Sequence, residues 1–276
     1  MYSFWQTAWL DISESVRSKW FALYALVFGG LIATLFVFGL TESRVMGFTG
    51  LSRMLVTYIQ LTMAILPIFV LLSTVRSLAG DREAGVYEYM LSLPVSLSSW
   101  YWGRFVGRFI VVFMPVFAAM GISLAVGMLM GAEEIPWRDF AWYSALLVSL
   151  SFCFLGIGFL ISSLSRNSDF AQTMAFFLWL VMLMFLDLIL IGLLIQFQTP
   201  APVVVGLALA NPLEVFRIGA MMLFDSQLIL LGPAAYIILD NFGNAGFMAY
   251  ALAYPLLLGL ALAGIGFWLF RRSDLP

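Results

Sequence analysis

Six long apolar runs, nearly free of charge, alternate with short polar stretches along the 276 residues of this chain. They are Trp20–Leu40, Met54–Val75, Phe109–Ala132, Ala141–Ser165, Phe170–Gln198 and Gly246–Phe270. A helix needs about 20 apolar residues to cross the hydrocarbon of a bilayer, so each run is predicted to be a membrane-spanning helix. Only the fifth carries an ionisable side chain, Asp187. Ahead of the first run, residues 3–18 have helical periodicity. Trp5, Trp9, Ile12 and Val16 fall on one side; Thr7, Asp11, Glu14 and Ser18 fall on the other. That pattern predicts an elbow helix lying in the inner interface. Between the fifth and sixth runs, residues 199–245 are apolar enough to suggest another crossing. Pro212, Glu214, Arg217, Asp225 and Gly232-Pro233 interrupt it. The expectation there is an outer-side segment of short helices, dipping into the membrane only where protein covers its backbone.

Composition agrees with lipid as the solvent. The chain is 63% hydrophobic and only 10% charged, against roughly 25% charged for an average soluble domain. Six spans and their connections use up the length, so one permease-like domain over 1–276 is expected, with no cleavable leader. Net charge is -2, which offers no basic face for nucleic acid. There is one cysteine, Cys153 within the fourth run, and no histidine. Intrachain disulfides, histidine-ligated metals and Ser–His or Cys–His catalysis are thereby excluded. The 15 methionines have no Cys or His partners that would make a copper path of them, and read as packing residues. No metal or catalytic site is expected.

Basic residues set the orientation. With the N-terminus inside, Arg17, Lys19, Arg76, Arg82, Arg104, Arg108, Arg166, Arg271 and Arg272 lie in inner segments. Only Arg44, Arg53, Arg138 and Arg217 lie in outer ones. The positive-inside rule then puts both termini in the cytoplasm. Gly156-x-Gly158 in the fourth run and Gly259, Gly264 and Gly266 in the sixth are expected to let helices approach closely.

The longest polar stretch is the inner segment 76–108, which contains GDREAGVYEYMLSLPVS and then WGRFVGR. Gly80 and Asp81 are expected to start a short amphipathic helix over Asp81–Leu91, which Pro94 ends; Ser96 would cap the next helix. No G-x-x-x-x-G-K-[ST] exists, and Lys19 is the sole lysine. Nucleotide energy, if used, must enter through another polypeptide. Asp187 would be costly unpaired in mid-bilayer. It reads either as part of a substrate path or as a hydrogen-bonded carboxyl joining helices. Glu214 and Arg217, three residues apart, suit a local pair on one helix face.

The 80–108 motif, in its place between the second and third spans, resembles the inner loop of ABC-2-type permeases. Elbow helix, six spans, long outer segment and terminal Arg-Arg agree with that family. The resemblance implies an all-α integral membrane protein of type V exporter-like architecture, working as a homodimer in a bacterial inner membrane. It also implies a separate cytoplasmic ATPase dimer that binds ATP and Mg. Carried over by position, Asp81, Arg82, Glu83 and Glu88 are the charged residues of the coupling helix, and Tyr87, Tyr89 and Met90 its packing residues. MGFTGLSRML (46–55), ANPLEVFRIGAMMLFD (210–225) and LGPAAYIILDNFG (231–243) look like the membrane subunits of systems that mature the copper centre of nitrous oxide reductase. That likeness implies outward passage of a sulfur species, or of force, for Cu–S cluster assembly. Its implied partners are a periplasmic β-helical protein, which Asn211, Glu214 and Arg217 could face, and a copper chaperone. Two alternatives stand beside it: an ABC-2 exporter of lipid, drug or polysaccharide, and an ATPase-independent channel or carrier built on Asp187.

Overall fold

The computed structural model describes residues 2–19, 21–23, 25–27, 29–30, 48–86, 95–129, 137–185, 188–190, 192–193, 199–225, 227–228, 231 and 233–272. Among them the chain is helical, in the order α1 (Tyr2–Val16), α2 (Phe48–Glu83), α3 (Leu97–Leu129), α4 (Trp137–Leu164), α5 (Ser168–Leu180), α6 (Ala201–Ala208), α7 (Pro212–Phe224) and α8 (Pro233–Arg272). A π-helical turn, Val181–Phe185, continues α5. Four of these helices are long and apolar enough to cross a membrane, within Ile59–Glu83, Leu97–Ala118, Trp137–Leu164 and Ala234–Arg272. They correspond to the second, third, fourth and sixth expected spans. The first expected span lies for the most part outside the described residues. Of the fifth, an apolar helix over Ser168–Met184 is described.

One expectation about the segment 76–108 is corrected. Gly80 and Asp81 do not open a new helix, because α2 runs unbroken through them to Glu83. The chain turns only at Ala84-Gly85, where Gly85 takes φ +69°, a conformation that suits a residue without a Cβ. The helix expected after Ser96 is present, and 97–108 is the start of α3. The Ser96 Oγ does cap it, accepting the Ser99 N–H at 3.2 Å. α2 and α3 therefore extend as rods beyond their apolar runs. The reason is that Leu78, Ala79, Trp100, Tyr101 and Phe105 are buried. Tertiary burial carries the helices past the end of the apolar pattern.

α4 is the central helix: Leu147, Leu150, Cys153, Phe154 and Phe159 are wholly buried. It meets α8 at backbone contact. A Cβ on Gly156 would lie 2.1 Å from the Gly259 carbonyl oxygen, and one on Gly259 would lie 2.5 Å from that of Phe152. The expected glycine contact is thus made between spans four and six. Around it an aromatic cluster forms: Trp100 stacks on Phe270 at 5.7 Å, and Tyr101 meets Phe159 edge-on.

In 199–245 the expected short helices are present. α6 and α7 are bent by 99° at the break between them, a shape that suits a re-entrant pair or a broken span. α8 is kinked at Gly243, where φ is 63°. Its first turns belong to that segment and the remainder to the sixth span.

Candidate functional site

The polar side chains that the sequence scattered over α1, α2, α3 and the α4–α5 turn converge at one end of the bundle. Under the positive-inside expectation this is the inner end. Asp81 Oδ2 pairs with Arg104 Nη2 at 2.7 Å, and Arg104 Nη1 also donates to the Ser77 carbonyl at 3.1 Å. One turn further along α3, Arg108 Nη2 donates to Asp11 Oδ1 at 2.9 Å. Asp11 is 1% exposed and Arg104 7%. A charge so buried is tolerated only when paired and hydrogen-bonded. The i,i+4 spacing of Arg104 and Arg108 puts both on one face of α3, where they bridge α1 and α2.

The same face explains how α1 seats. Gly103 and Gly107 lie four residues apart, and a Cβ on either would come within 2.8 Å of the Phe4 or Ala8 carbonyl. α1 therefore lies directly on the α3 backbone. Its Asp11, Ala8 and Ser15 side is buried, while Trp5 and Trp9 are 61% and 70% exposed. An elbow with its polar face inward and its tryptophans outward is inverted relative to a water-soluble amphipathic helix. That arrangement suits an interface bordered by lipid.

The end of α2 is joined to the neighbouring spans by three further contacts. Arg82 Nη1 donates to the Ser165 carbonyl at 2.8 Å. Glu83 Oε2 accepts the Ser168 N–H at 3.1 Å, placing a carboxylate at the N-terminus of α5, where the helix dipole favours it. Deeper in, Ser162 of α4 enters the hydrogen-bond ladder of α2. Its Oγ donates to the Val75 carbonyl at 2.6 Å and accepts from the Leu78 and Ala79 N–H groups at 3.1 and 3.0 Å. A side chain inserted into the i→i−4 ladder is a recognised origin of helix bending. The last two turns of α2 are thus fastened to α4, α5 and α3 together. Of the expected coupling residues, Asp81, Arg82 and Glu83 occupy this corner. Tyr87, Glu88, Tyr89 and Met90 lie outside the described residues, as does Asp187.

At the opposite end, Asn211 N-caps α7 by accepting from the Leu213 N–H, and its Nδ2 donates to the Met182 carbonyl in the π-helical turn. Tyr250 and Tyr254 of α8 donate to the Leu209 and Ala210 carbonyls at 2.9 and 2.5 Å. The carbonyls at the non-helical tip between α6 and α7 are therefore satisfied by protein, which is what a segment entering the membrane would require. Glu214 is paired with Arg217 as the spacing suggested. They line a cavity of about 470 Å³ with Gln60 and Ile238. Asn211 and Glu214 are each 3% exposed, so their side chains fold the segment locally.

Sequence reading did not find the partners Asp11, Ser162, Tyr250 and Tyr254. The repeated Gly-Arg of WGRFVGR, one stripe of glycine beside one of arginine, was the readable signal for a helix docked on α3. Nothing in sequence spacing links Ser162 to Val75.

The chain was compared with known proteins. A model of the ABC-2 family transporter proteins matches residues 5–275. A protein of Stutzerimonas stutzeri named "Probable ABC transporter permease protein NosY" is 23% identical over 223 residues, covering 79% of this chain and 81% of its own. A protein of the same name from Pseudomonas aeruginosa is 24% identical over 277 aligned positions, covering 98% of each. The chain belongs to the ABC-2 family of membrane transporter proteins.

Proposed function

We propose that this ABC-2 family chain is the membrane-spanning permease subunit of an ABC transporter, moved by a separate cytoplasmic ATPase that docks at the turn after α2. The observation that carries the reading is the fastened end of α2. Asp81, Arg82 and Glu83 each hold a neighbouring element, while Ala84 and Gly85 beyond them are exposed. A push on that turn is delivered to α3, α4 and α5 at once instead of bending one loop. The sequence contains no phosphate-binding loop and a single lysine, Lys19, so ATP and Mg would be held by the partner chain.

Energy would enter as differential binding: the nucleotide-closed ATPase favours one arrangement of the spans over the other. In this reading two copies surround a central path, with the termini in the cytoplasm of a bacterial inner membrane. The α6–α7 segment would then face a periplasmic β-helical partner. The NosY names of the two relatives favour a role in nitrous oxide reductase maturation, with a sulfur species or mechanical force passing outward.

Docking is tested by placing a photocrosslinking residue at Ala84, and separately at Asp240 on the far part of α8, in the full chain in its own membranes. Capture of an ATPase from Ala84, with a yield that changes on adding ATP, is the expected result. Capture only from other positions would overturn the docking site. Gene neighbourhood tests the narrower role: an adjacent ATPase gene beside one for a periplasmic β-helix protein is expected.

A further inference from the structure

A cavity of about 390 Å³ lies at the inner end, lined mainly by α1, α2 and α3, with Gln172 of α5 at its edge. Its lining is graded along α2. Ile68, Phe69 and Leu72 form the deeper part; Ser73, Arg76 and Ser77 form the part nearer the charged end. Eight residues of helix separate Ile68 from Arg76, a rise of about 12 Å. That spans the step from acyl chain to headgroup on one side of a bilayer. Phe21 and Val112 complete the apolar half.

The charged half is more informative than its net charge. Arg104 is committed to Asp81 and Arg108 to Asp11. Two lining charges remain, Arg76 on α2 and Glu14 on α1, both exposed. Among the described residues neither makes an ion pair. They line one cavity from different helices and form no ion pair with each other. A purely anionic ligand would gain from Arg76 and be repelled by Glu14; a cation would meet the reverse.

We infer that this cavity holds the headgroup of one zwitterionic phospholipid, its phosphate on Arg76 and its primary ammonium on Glu14, with the glycerol end turned toward Phe69 and Leu72 and the acyl chains outside the cavity. A primary ammonium has N–H groups for the Glu14 carboxylate and for serine hydroxyls, giving charge-assisted hydrogen bonds. A quaternary ammonium has none, and is held instead by several aromatic faces, of which the cavity offers Phe21 and Phe69. The headgroup is therefore ethanolamine-like. Because α1 forms one wall and α2 and α3 the others, the lipid joins the elbow to the two spans whose inner ends are proposed to move. The inference concerns a held lipid and stands whether or not an ATPase docks at Ala84.

The test is native mass spectrometry of the full chain, delipidated in mild detergent and offered equal amounts of dioleoyl phosphatidylethanolamine, phosphatidylglycerol and phosphatidylcholine. One phosphatidylethanolamine per chain should be retained, at least about tenfold more tightly than either competitor, the size of one charge-assisted hydrogen bond. Glu14→Gln should reduce phosphatidylethanolamine to the level of phosphatidylglycerol. Arg76→Gln should weaken both about tenfold. Both side chains are exposed, so the variants should unfold at the wild-type temperature in lipid-free detergent. Leu72→Trp, which fills the apolar half, should weaken all three lipids. Equal retention of the three by the wild type, tighter binding of phosphatidylglycerol, or an ethanolamine preference surviving in Glu14→Gln would overturn the inference.

Discussion

The two ends of the bundle bury polar groups by opposite means. At the end where α1, α2 and α3 meet, four ionisable side chains pair across helix boundaries: Asp11 with Arg108, and Asp81 with Arg104. At the other end the Glu214–Arg217 pair stays within α7, and between elements neutral side chains satisfy backbone carbonyls: Asn211 that of Met182, Tyr250 that of Leu209 and Tyr254 that of Ala210. Ion pairs between helices fix the position of one rod against another, because losing a partner strands a buried charge. Hydrogen bonds to loop carbonyls hold a shape, and each lost bond forfeits only a modest net energy. The end around Asp81 and Arg104 is therefore braced helix against helix, and the end around Asn211 keeps a bent segment folded.

The contrast is sharpened most by removing one charge. Arg104→Met leaves Asp81 without its pair and should lower stability by about 3–5 kcal/mol. Chemical denaturation in one fixed detergent measures it. Replacing Arg104 and Asp81 together by Met and Leu should recover much of that loss, as paired removal of buried ions does elsewhere. If the single variant behaves like the double, the network is not the brace described here.

Next in size is Asn211→Ala. It removes both the α7 cap and the bond to Met182, and should destabilise by about 1–2 kcal/mol. Hydrogen exchange should locate the loosening at the α6–α7 tip and leave α1 protected. Ser162→Ala opens the junction of α2 and α4 and should lower stability by about 1 kcal/mol. It should also raise amide exchange at Leu78 and Ala79 specifically, which exchange mass spectrometry resolves. Tyr254→Phe is expected to be mildest, at or below about 1 kcal/mol. If that outer substitution matched Arg104→Met, the distinction between the two ends would collapse.

Much of this protein was legible in its sequence, and the reason is physical. In lipid an apolar run of sufficient length must be helical, since every backbone group has to be satisfied within the segment. The second, third, fourth and sixth runs therefore read directly as helices, and the glycines of spans four and six as a close contact. The i,i+3 spacing of Glu214 and Arg217 likewise announced a local pair. Local periodicity also set the two faces of the elbow, Trp5 and Trp9 against Asp11. What it could not set was which face would meet protein. Only the tertiary structure decided that, by laying α1 on Gly103 and Gly107 so that Asp11 reached Arg108. The same holds where α2 ends. Gly80-Asp81 looks like a helix start in isolation, yet burial of Leu78 and Ala79 and the ties of Asp81, Arg82 and Glu83 to other helices carry α2 three residues further. Helix formation in a membrane is a property of the segment. Helix ends, and the partners of buried polar groups, depend on residues distant in the chain, from 27 positions between Arg104 and Ser77 to 97 between Arg108 and Asp11.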